Sequence, residues 1–471
     1  MVVWGQKNAR ENRVLLLPGN LQALAGDTMG STAPESFVDV NGGFVKRAAF
    51  TSDDVFRREL TQIFDRCWIF LGHESEISGL GDYVVRQLGS APVIVVRTEQ
   101  DTIRGFLNSC RHRGTKLCRG EAGHAENFVC PYHGWSYRID GGLITTTFDQ
   151  HFPADTNFSQ FNLIPVPRLE TRYGLIFGCW DADVMPLDDH IGDVGWYLEA
   201  FFDRTPGGME VLGPAHRWQV AANWKVGALN FIGDSQHVPT THAGPIALDR
   251  VRAAKEGFIN AGQDSFQVLT DQGHGCTLTY LAPGMPKANY ETHDATLEQL
   301  YKKTLQSDQI DMLHNLRVCV GNVFPHMSFI ETQVKRGQKA VIIRLWQPTS
   351  GTGMEVLSWV FAEREASNEY RDSVLRNGFH NFGAAGVFEQ DDMELWISAT
   401  AAGNNPIAAQ YPYSFHTSLP YLDNPVADYD WPGRAYRPQD TEVAQFAFMK
   451  FWDEQICSTV GEASEADGHG R

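Results

Sequence analysis

A chain of 471 residues, 42% hydrophobic and 20% charged, has the composition of a packed protein rather than a disordered one, and its length allows two or three domains. With 39 basic against 57 acidic residues the net charge is −18, and no basic stripe offsets it, which excludes a nucleic-acid binder. No run of 18 uncharged apolar residues is present, and Lys7, Arg10, Glu11 and Arg13 stand where a signal peptide needs its apolar centre, so the expectation is a cytoplasmic protein without a membrane span.

The N-terminal stretch is broken by Pro18, Gly19, Gly26, Gly30, Pro34, Gly42 and Gly43 and reads as an arm. A helix follows. Thr51 or Ser52 caps it, Asp53 and Asp54 suit its first turn, and Phe56, Leu60, Ile63 and Cys67 fall on one face. From Trp68 to about Asp181 the texture is β. Residues 83–88 and 92–97 form strands joined by Gly89-Ser90-Ala91, and residues 128–130 and 135–139 read the same way, with Asp140-Gly141-Gly142 as a hairpin turn. Beyond about residue 185 the pattern is mixed. Residues 223–236 suit a helix, and 266–281, 321–333 and 339–361 suit antiparallel strands. Residues 362–376 suit a charged helix that 385–398 continues or follows as another, and the tail after Glu462 is frayed. The expected class is α+β: an arm and helix over 1–66, a small all-β domain over 67–185 and a larger α+β domain with an antiparallel sheet over 186–471.

Eight cysteines are scattered along the chain, too thinly for a disulfide framework. Two of them belong to a constellation: Cys110-Arg111-His112, seventeen residues, then Cys130-Pro131-Tyr132-His133-Gly134-Trp135. The ligand set equals that of a Cys₂His₂ zinc site, but zinc fingers pair Cys with Cys and His with His, whereas each loop here mixes them. Mixed loops suit a [2Fe–2S] cluster with two Cys on one iron and two His on the other. Gly114 and Gly134 follow the ligands where backbone passes close to the cluster. Cys118 has no partner His at useful spacing, and Cys67, Cys179, Cys276, Cys319 and Cys457 read as small buried side chains.

A second constellation runs from Asn230 to His242. His237 and His242 are five apart, which no regular helix face aligns, but Pro239 breaks the helix between them and allows both to reach one metal. A carboxylate is available downstream in Glu389-Gln390-Asp391-Asp392-Met393-Glu394. Two His and one carboxylate leave coordination positions open, the arrangement of non-heme Fe(II) oxygenases.

With these motifs, together with Phe106-Leu107-Asn108-Ser109-Cys110-Arg111-His112-Arg113-Gly114, Asn223-Trp224-Lys225 and Gly386-Val387-Phe388-Glu389-Gln390-Asp391-Asp392, the chain resembles the large (α) subunit of Rieske non-heme iron aromatic ring-hydroxylating dioxygenases, the naphthalene and biphenyl dioxygenase group, from about Phe50 to Trp452. The resemblance implies a Rieske domain and a catalytic domain of the helix-grip type. It implies one [2Fe–2S] cluster held by Cys110, His112, Cys130 and His133, and one mononuclear Fe(II) held by His237, His242 and Asp392, the second Asp of its pair. It implies that Asp234 bridges His237 and His133 of the neighbouring subunit, so that electrons cross between subunits of a ring of three, and that Asn230, Phe231, Phe382 and Phe388 line the pocket. The implied partners are a small β subunit in an α₃β₃ hexamer, a ferredoxin or reductase drawing on NAD(P)H, O₂ and an aromatic substrate. The arm is longer than the family's, and Met393-Glu394-Leu395-Trp396 stands where relatives often have a glycine.

The implied reaction is cis-dihydroxylation. No Lys or Arg occurs in 226–249 or 377–433, the stretches that hold the iron ligands, which favours a neutral polycyclic or biaryl hydrocarbon. An aromatic carboxylate such as phthalate, read by Arg250, Arg252 or Lys255, is the alternative, as is a Rieske monooxygenase or demethylase.

Overall fold

The computed structural model describes residues 36–99, 102–248, 262–281, 295–335 and 338–458. The expected arm up to residue 35, the tail after Glu462 and the cations Arg250, Arg252 and Lys255 lie outside the described residues.

The helix after Ser52 forms as its sequence suggests at its start: Val55 N–H donates to Ser52 Oγ (3.4 Å), and Asp53 and Asp54 occupy the first turn. The regular helix covers Asp53–Glu59 and widens into a π-type turn over Leu60–Phe64. Its buried face is Val55, Glu59, Ile63 and Phe64, one position round from the expected Phe56, Leu60, Ile63 and Cys67. The cause is Glu59, drawn inside as counter-ion to buried Lys225. Its two carboxylate oxygens also accept Trp452 Nε1–H (2.9 Å) and Trp224 Nε1–H (3.0 Å). One carboxylate thus ties this helix to Trp224–Gly233 and Val443–Cys457, with three donors on its two oxygens, which is what makes a buried charge tolerable.

Strand Ala91–Glu99 joins two hydrophobic cores. Val93 and Val95 face the large core, while Ile94 and Val96 face a smaller one with Phe106, Cys110, Cys130, Trp135 and Tyr137. A strand covered on both faces reads as an unbroken apolar run rather than an alternating one. Around it, Thr102–Leu107, Ala91–Glu99, Asp82–Leu88 and Ala122–His124 form a four-stranded antiparallel sheet. Asn127–Val129, Ser136–Arg138 and Leu143–Thr145 form a small second sheet, with Gly141 at the expected hairpin turn.

The larger part is built on one antiparallel sheet. Its central strands run in the order Gly353–Glu363, Gln338–Ser350, Met327–Lys335, Leu316–Val323, Gly275–Leu281 and Gly262–Leu269, with short strands at both ends. Helix Trp224–Gly233 packs across the middle strands, and helix Asn368–Phe382 packs on Gln338–Ser350 and Gly353–Glu363. The expected helix over 362–376 starts later than its composition suggests. Ala362 and Glu363 still pair with Glu210 and Met209, so the strand continues and Ser367 caps the helix instead (Tyr370 N–H to Ser367 Oγ, 3.3 Å). Glu389–Gly403 is a separate helix. Among the described residues no helix is long and apolar enough to cross a membrane.

Candidate metal centres

Two loops of the small β-structure share one turn. In each, the glycine four residues after the cysteine has positive φ (75° at Gly114, 76° at Gly134) and donates its N–H to the cysteine carbonyl (2.9 and 3.0 Å). The cysteine N–H returns to Thr115 O (2.9 Å) or Trp135 O (2.8 Å). A side chain at either glycine would be strained in this conformation. Cys110 and Cys130 point into the small core, while His112 is exposed and His133 half-buried, their rings 4.6 Å apart. His112 stacks on Trp135 at 4.9 Å, 5° from parallel.

Burial pushes the Cys110 thiol up, and the Tyr137 hydroxyl 3.4 Å from its sulfur only partly opposes this. A thiolate is favoured there only with a cation beside it. Among the described residues, the one group of three or more acidic, His or Cys donors that all lie within 4.8 Å of one another is His237, His242 and Asp392. The two thiols lie buried and the two imidazoles nearer the surface, a donor set of two soft and two borderline ligands that fits a group with two metal ions.

The second centre lies where helix Trp224–Gly233 ends. His237 precedes and His242 follows the single turn Val238–Thr241, in which Pro239 sits at the second position. That turn brings the two Nε2 atoms to 3.2 Å. Asp392, in the first turn of Glu389–Gly403, sends Oδ1 to 3.5 Å from His237 Nε2 and 3.4 Å from His242 Nε2. Each imidazole also has a carboxylate on its other nitrogen: Asp234 Oδ1 is 3.6 Å from His237 Nδ1, and Asp391 Oδ2 is 3.3 Å from His242 Nδ1. Carboxylates in those places keep the proton on Nδ1 and leave Nε2 as a lone-pair donor.

The electrostatics fit a cation. Burial pushes the Asp392 carboxyl up to about 7, against the pull of His237. Its Oδ1 has no hydrogen-bond partner among the described residues. Burial lowers His242, partly offset by Asp391, whereas at His237 the same burial is outweighed by Asp234 and Asp392 and the pKa is raised.

A cavity of about 1010 Å³ opens onto the three donors. The four residues expected to line it, Asn230, Phe231, Phe382 and Phe388, all do so. Phe382 and Phe388 stack at 5.7 Å, Phe388 meets His242 edge-on at 5.0 Å, and Phe231 packs against Trp346 at 5.2 Å. The stretches 226–249 and 377–433 are indeed free of cations, but two arginines reach the cavity from the sheet. Arg344 is buried, pairs with Glu389, donates to Phe382 O (2.6 Å) and lies over the Phe231 ring (5.1 Å). It thereby clamps Phe231, Phe382 and the start of the helix that carries Asp392. Sequence reasoning missed it, although Glu389, three residues before Asp392 on one helix face, is a signal that a cation must be near. Arg317 is the other arginine.

The Arg344–Glu389 pair sets an expected result. Arg344→Met leaves Glu389 buried and uncompensated and lowers stability by about 3–5 kcal/mol, measured by denaturant titration. Arg344→Met with Glu389→Leu recovers most of that loss, because an apolar pair leaves no buried charge. An unchanged midpoint in the single variant would show the pair to be without structural consequence.

The Rieske [2Fe-2S] domain family matches residues 67–155, and the ring hydroxylating alpha subunit (catalytic domain) family matches residues 207–455. The chain is 30% identical to the alpha subunit of benzene 1,2-dioxygenase of Pseudomonas putida, over 92% of this chain and 95% of that one. It is also 30% identical to the alpha subunit of N,N-dimethyl phenylurea N-demethylase of Sphingobium sp. (strain YBL2), over 89% of this chain and 92% of that one. Among solved structures, naphthalene 1,2-dioxygenase from Rhodococcus sp. bound to indole superposes with a TM-score of 0.82 at 32% identity, over 88% of this chain and 94% of that one.

Proposed function

The chain belongs to the ring-hydroxylating dioxygenase alpha-subunit family, oxidoreductases with a Rieske [2Fe–2S] cluster and a mononuclear iron, and from that premise we propose that it converts a fused or biaryl arene to its cis-dihydrodiol. The overall balance is arene + O₂ + NAD(P)H + H⁺ → cis-dihydrodiol + NAD(P)⁺. The observation that carries this reading is the His237–His242–Asp392 cluster opening onto a phenylalanine-walled cavity of about 1010 Å³, room enough for two or more rings.

Residues 67–185 form the cluster domain, with Cys110, Cys130, His112 and His133 as ligands, and residues 186–471 form the catalytic domain, with His237, His242 and Asp392 as ligands. When bound, the cluster supplies single electrons and the mononuclear iron activates O₂ at the positions its three ligands leave open. The chain's own residues do the rest. Phe231, Phe382 and Phe388 hold the ring flat beside His242, and their apolar faces keep water from the reacting edge. Asp391 and Asp234 orient the two imidazoles.

The chain assembles as three copies with three small β subunits, fed by a ferredoxin or reductase. In that ring Asp234, a third exposed, reaches the partner subunit's His133. The exposure of His112 and Tyr132 at the tip of the cluster loops supports such a contact.

The test is turnover under ¹⁸O₂ with a β subunit and electron-transfer proteins, offering naphthalene, phenanthrene, biphenyl and phthalate. The expected product is a cis-diol with two labelled oxygens. Conversion of phthalate with none of the arenes would overturn the fused or biaryl reading. The demethylase relative favours a second reading, in which an N-methyl aryl substrate loses one carbon and only one labelled oxygen enters the organic product.

A further inference from the structure

Arg113 has no part in metal binding, yet it stands at the cluster loops. Its guanidinium donates to His133 Nε2 and lies over the Tyr132 ring, 4.9 Å from the centroid. That hydrogen bond needs the Nε2 lone pair. An imidazole that serves as a ligand puts one nitrogen on the metal and keeps its proton on the other, so Nε2 of His133 is then either coordinated or protonated. A guanidinium has only donors to offer. With the cluster bound, Arg113 gives up His133 and turns its donors outward.

The surface around it has the character of a contact face. Arg111, Lys116 and Arg119 are exposed on the same loop, and no acid occurs in 102–120, in a chain of net charge −18. Large apolar side chains flank the loops: Val129, Tyr132, Ile144 and Phe148 are 47–60% exposed. Exposed apolar side chains rimmed by charge mark a protein–protein contact.

A complementary rim lies at the other metal centre. Gln236, two residues after Asp234, donates to Asp440 O (2.5 Å) and to Thr417 Oγ1 (3.4 Å), and Thr417 donates to Glu442 (2.7 Å). Burial pushes the Glu442 carboxyl up, and the neighbouring Asp234 charge adds to the rise. Asp234, Asp440 and Glu442 thus share one acidic rim, and neither 226–249 nor 438–449 contains Lys or Arg. Asp440 is exposed, and among the described residues no Lys or Arg meets it.

Resting on the ring of three copies read above, we propose that Arg113 of one copy is held by the partner subunit's Asp440, an ion pair that seats the cationic cluster loop on the acidic rim. The exchange of partners is balanced. A ligand imidazole has a donor for a carboxylate, and the guanidinium that leaves it gains a carboxylate in turn. Charge pairs of this kind are worth little in open water and more where a contact excludes it, as the apolar side chains around the loops would.

The test uses the holoenzyme with its β subunit, shown by sedimentation to be the ring. Two measurements are made. In a single turnover with biphenyl and O₂, the visible spectrum of the reduced cluster is followed as it discharges. Arg113→Asp and Asp440→Arg each slow the discharge at low protein concentration by about ten- to a hundredfold, and the double variant, with the charges exchanged, recovers most of the loss. Salt slows wild type in the same sense. Separately, Arg113→Cys combined with Asp440→Cys is treated with a short bismaleimide and joins copies on a denaturing gel, whereas neither single variant does. A wild type that sediments as one copy, a double charge variant no better than the singles, or a failure to cross-link would overturn the proposal. Cross-linking with charge rescue but no oxygenated arene leaves the contact standing while the dioxygenase reading falls.

Discussion

Replacing Asp392 by alanine should remove the mononuclear iron and bring turnover below detection, while the [2Fe–2S] cluster, its acid-labile sulfide and its visible spectrum remain. The reason is geometric. Asp392 Oδ1 is the only carboxylate oxygen that approaches both Nε2 atoms, at 3.4 and 3.5 Å, among the described residues. Two imidazoles alone hold Fe(II) weakly, since the site loses its one anionic ligand. Asp391→Ala gives the contrasting result. Asp391 meets His242 at Nδ1, behind the lone-pair nitrogen, so its loss misorients a ligand without removing one. Losing an outer partner of this kind costs about 10–100-fold in metal affinity or activity, well short of abolition. Iron analysis beside sulfide analysis distinguishes the two. If Asp391→Ala empties the site and Asp392→Ala does not, the assignment of the two aspartates is reversed.

Asp234→Asn is expected to keep both metal centres and to lose turnover by about 10–100-fold or more. Asn occupies the same volume and still offers a carbonyl oxygen to the His237 backbone N–H (3.4 Å), so the loop 234–242 keeps its shape. What disappears is the negative charge that holds His237 above its ordinary pKa against burial. The charge that would meet the partner subunit's His133 disappears with it. Iron and sulfide contents, and substrate binding measured directly, should match wild type. Full turnover in this variant would leave Asp234 a surface acid with no catalytic part.

Much of this was legible without the fold. The two cluster loops are encoded within five residues each: cysteine, histidine and a glycine placed so that its N–H returns to the cysteine carbonyl. The pairing of His237 with His242 follows from Pro239, which makes a single turn of what would otherwise be misaligned helix faces. The strands at 83–88 and 92–97 were readable because a face of each is buried, and at 93–96 both are, whereas those at 102–107 and 216–220 were not singled out.

Other features depended on partners far away in sequence. The helix at 53–59 buries Glu59 rather than an apolar residue because Lys225, 166 positions on, needs a counter-ion. The helix expected from residue 362 begins at 368 because the strand still has neighbours to pair with. The resemblance assigned Asp392 rather than Asp391, and the composition of either residue alone could not distinguish them. Adjacent helical residues point about 100° apart, so which one faces the histidines depends on how the 389–403 helix is rotated. The Arg344–Glu389 clamp helps to set that rotation.

The sequence by itself therefore determined the shape of the two cysteine–histidine loops, because turns that place a cysteine, a histidine and a glycine depend on neighbouring residues alone. Only the tertiary structure decided what surrounds that chemistry. Arg317 and Arg344 come from strands that local pattern places in a sheet but not at a cavity. The buried pair of Arg344 with Glu389, settled by long-range packing, holds Arg344 there.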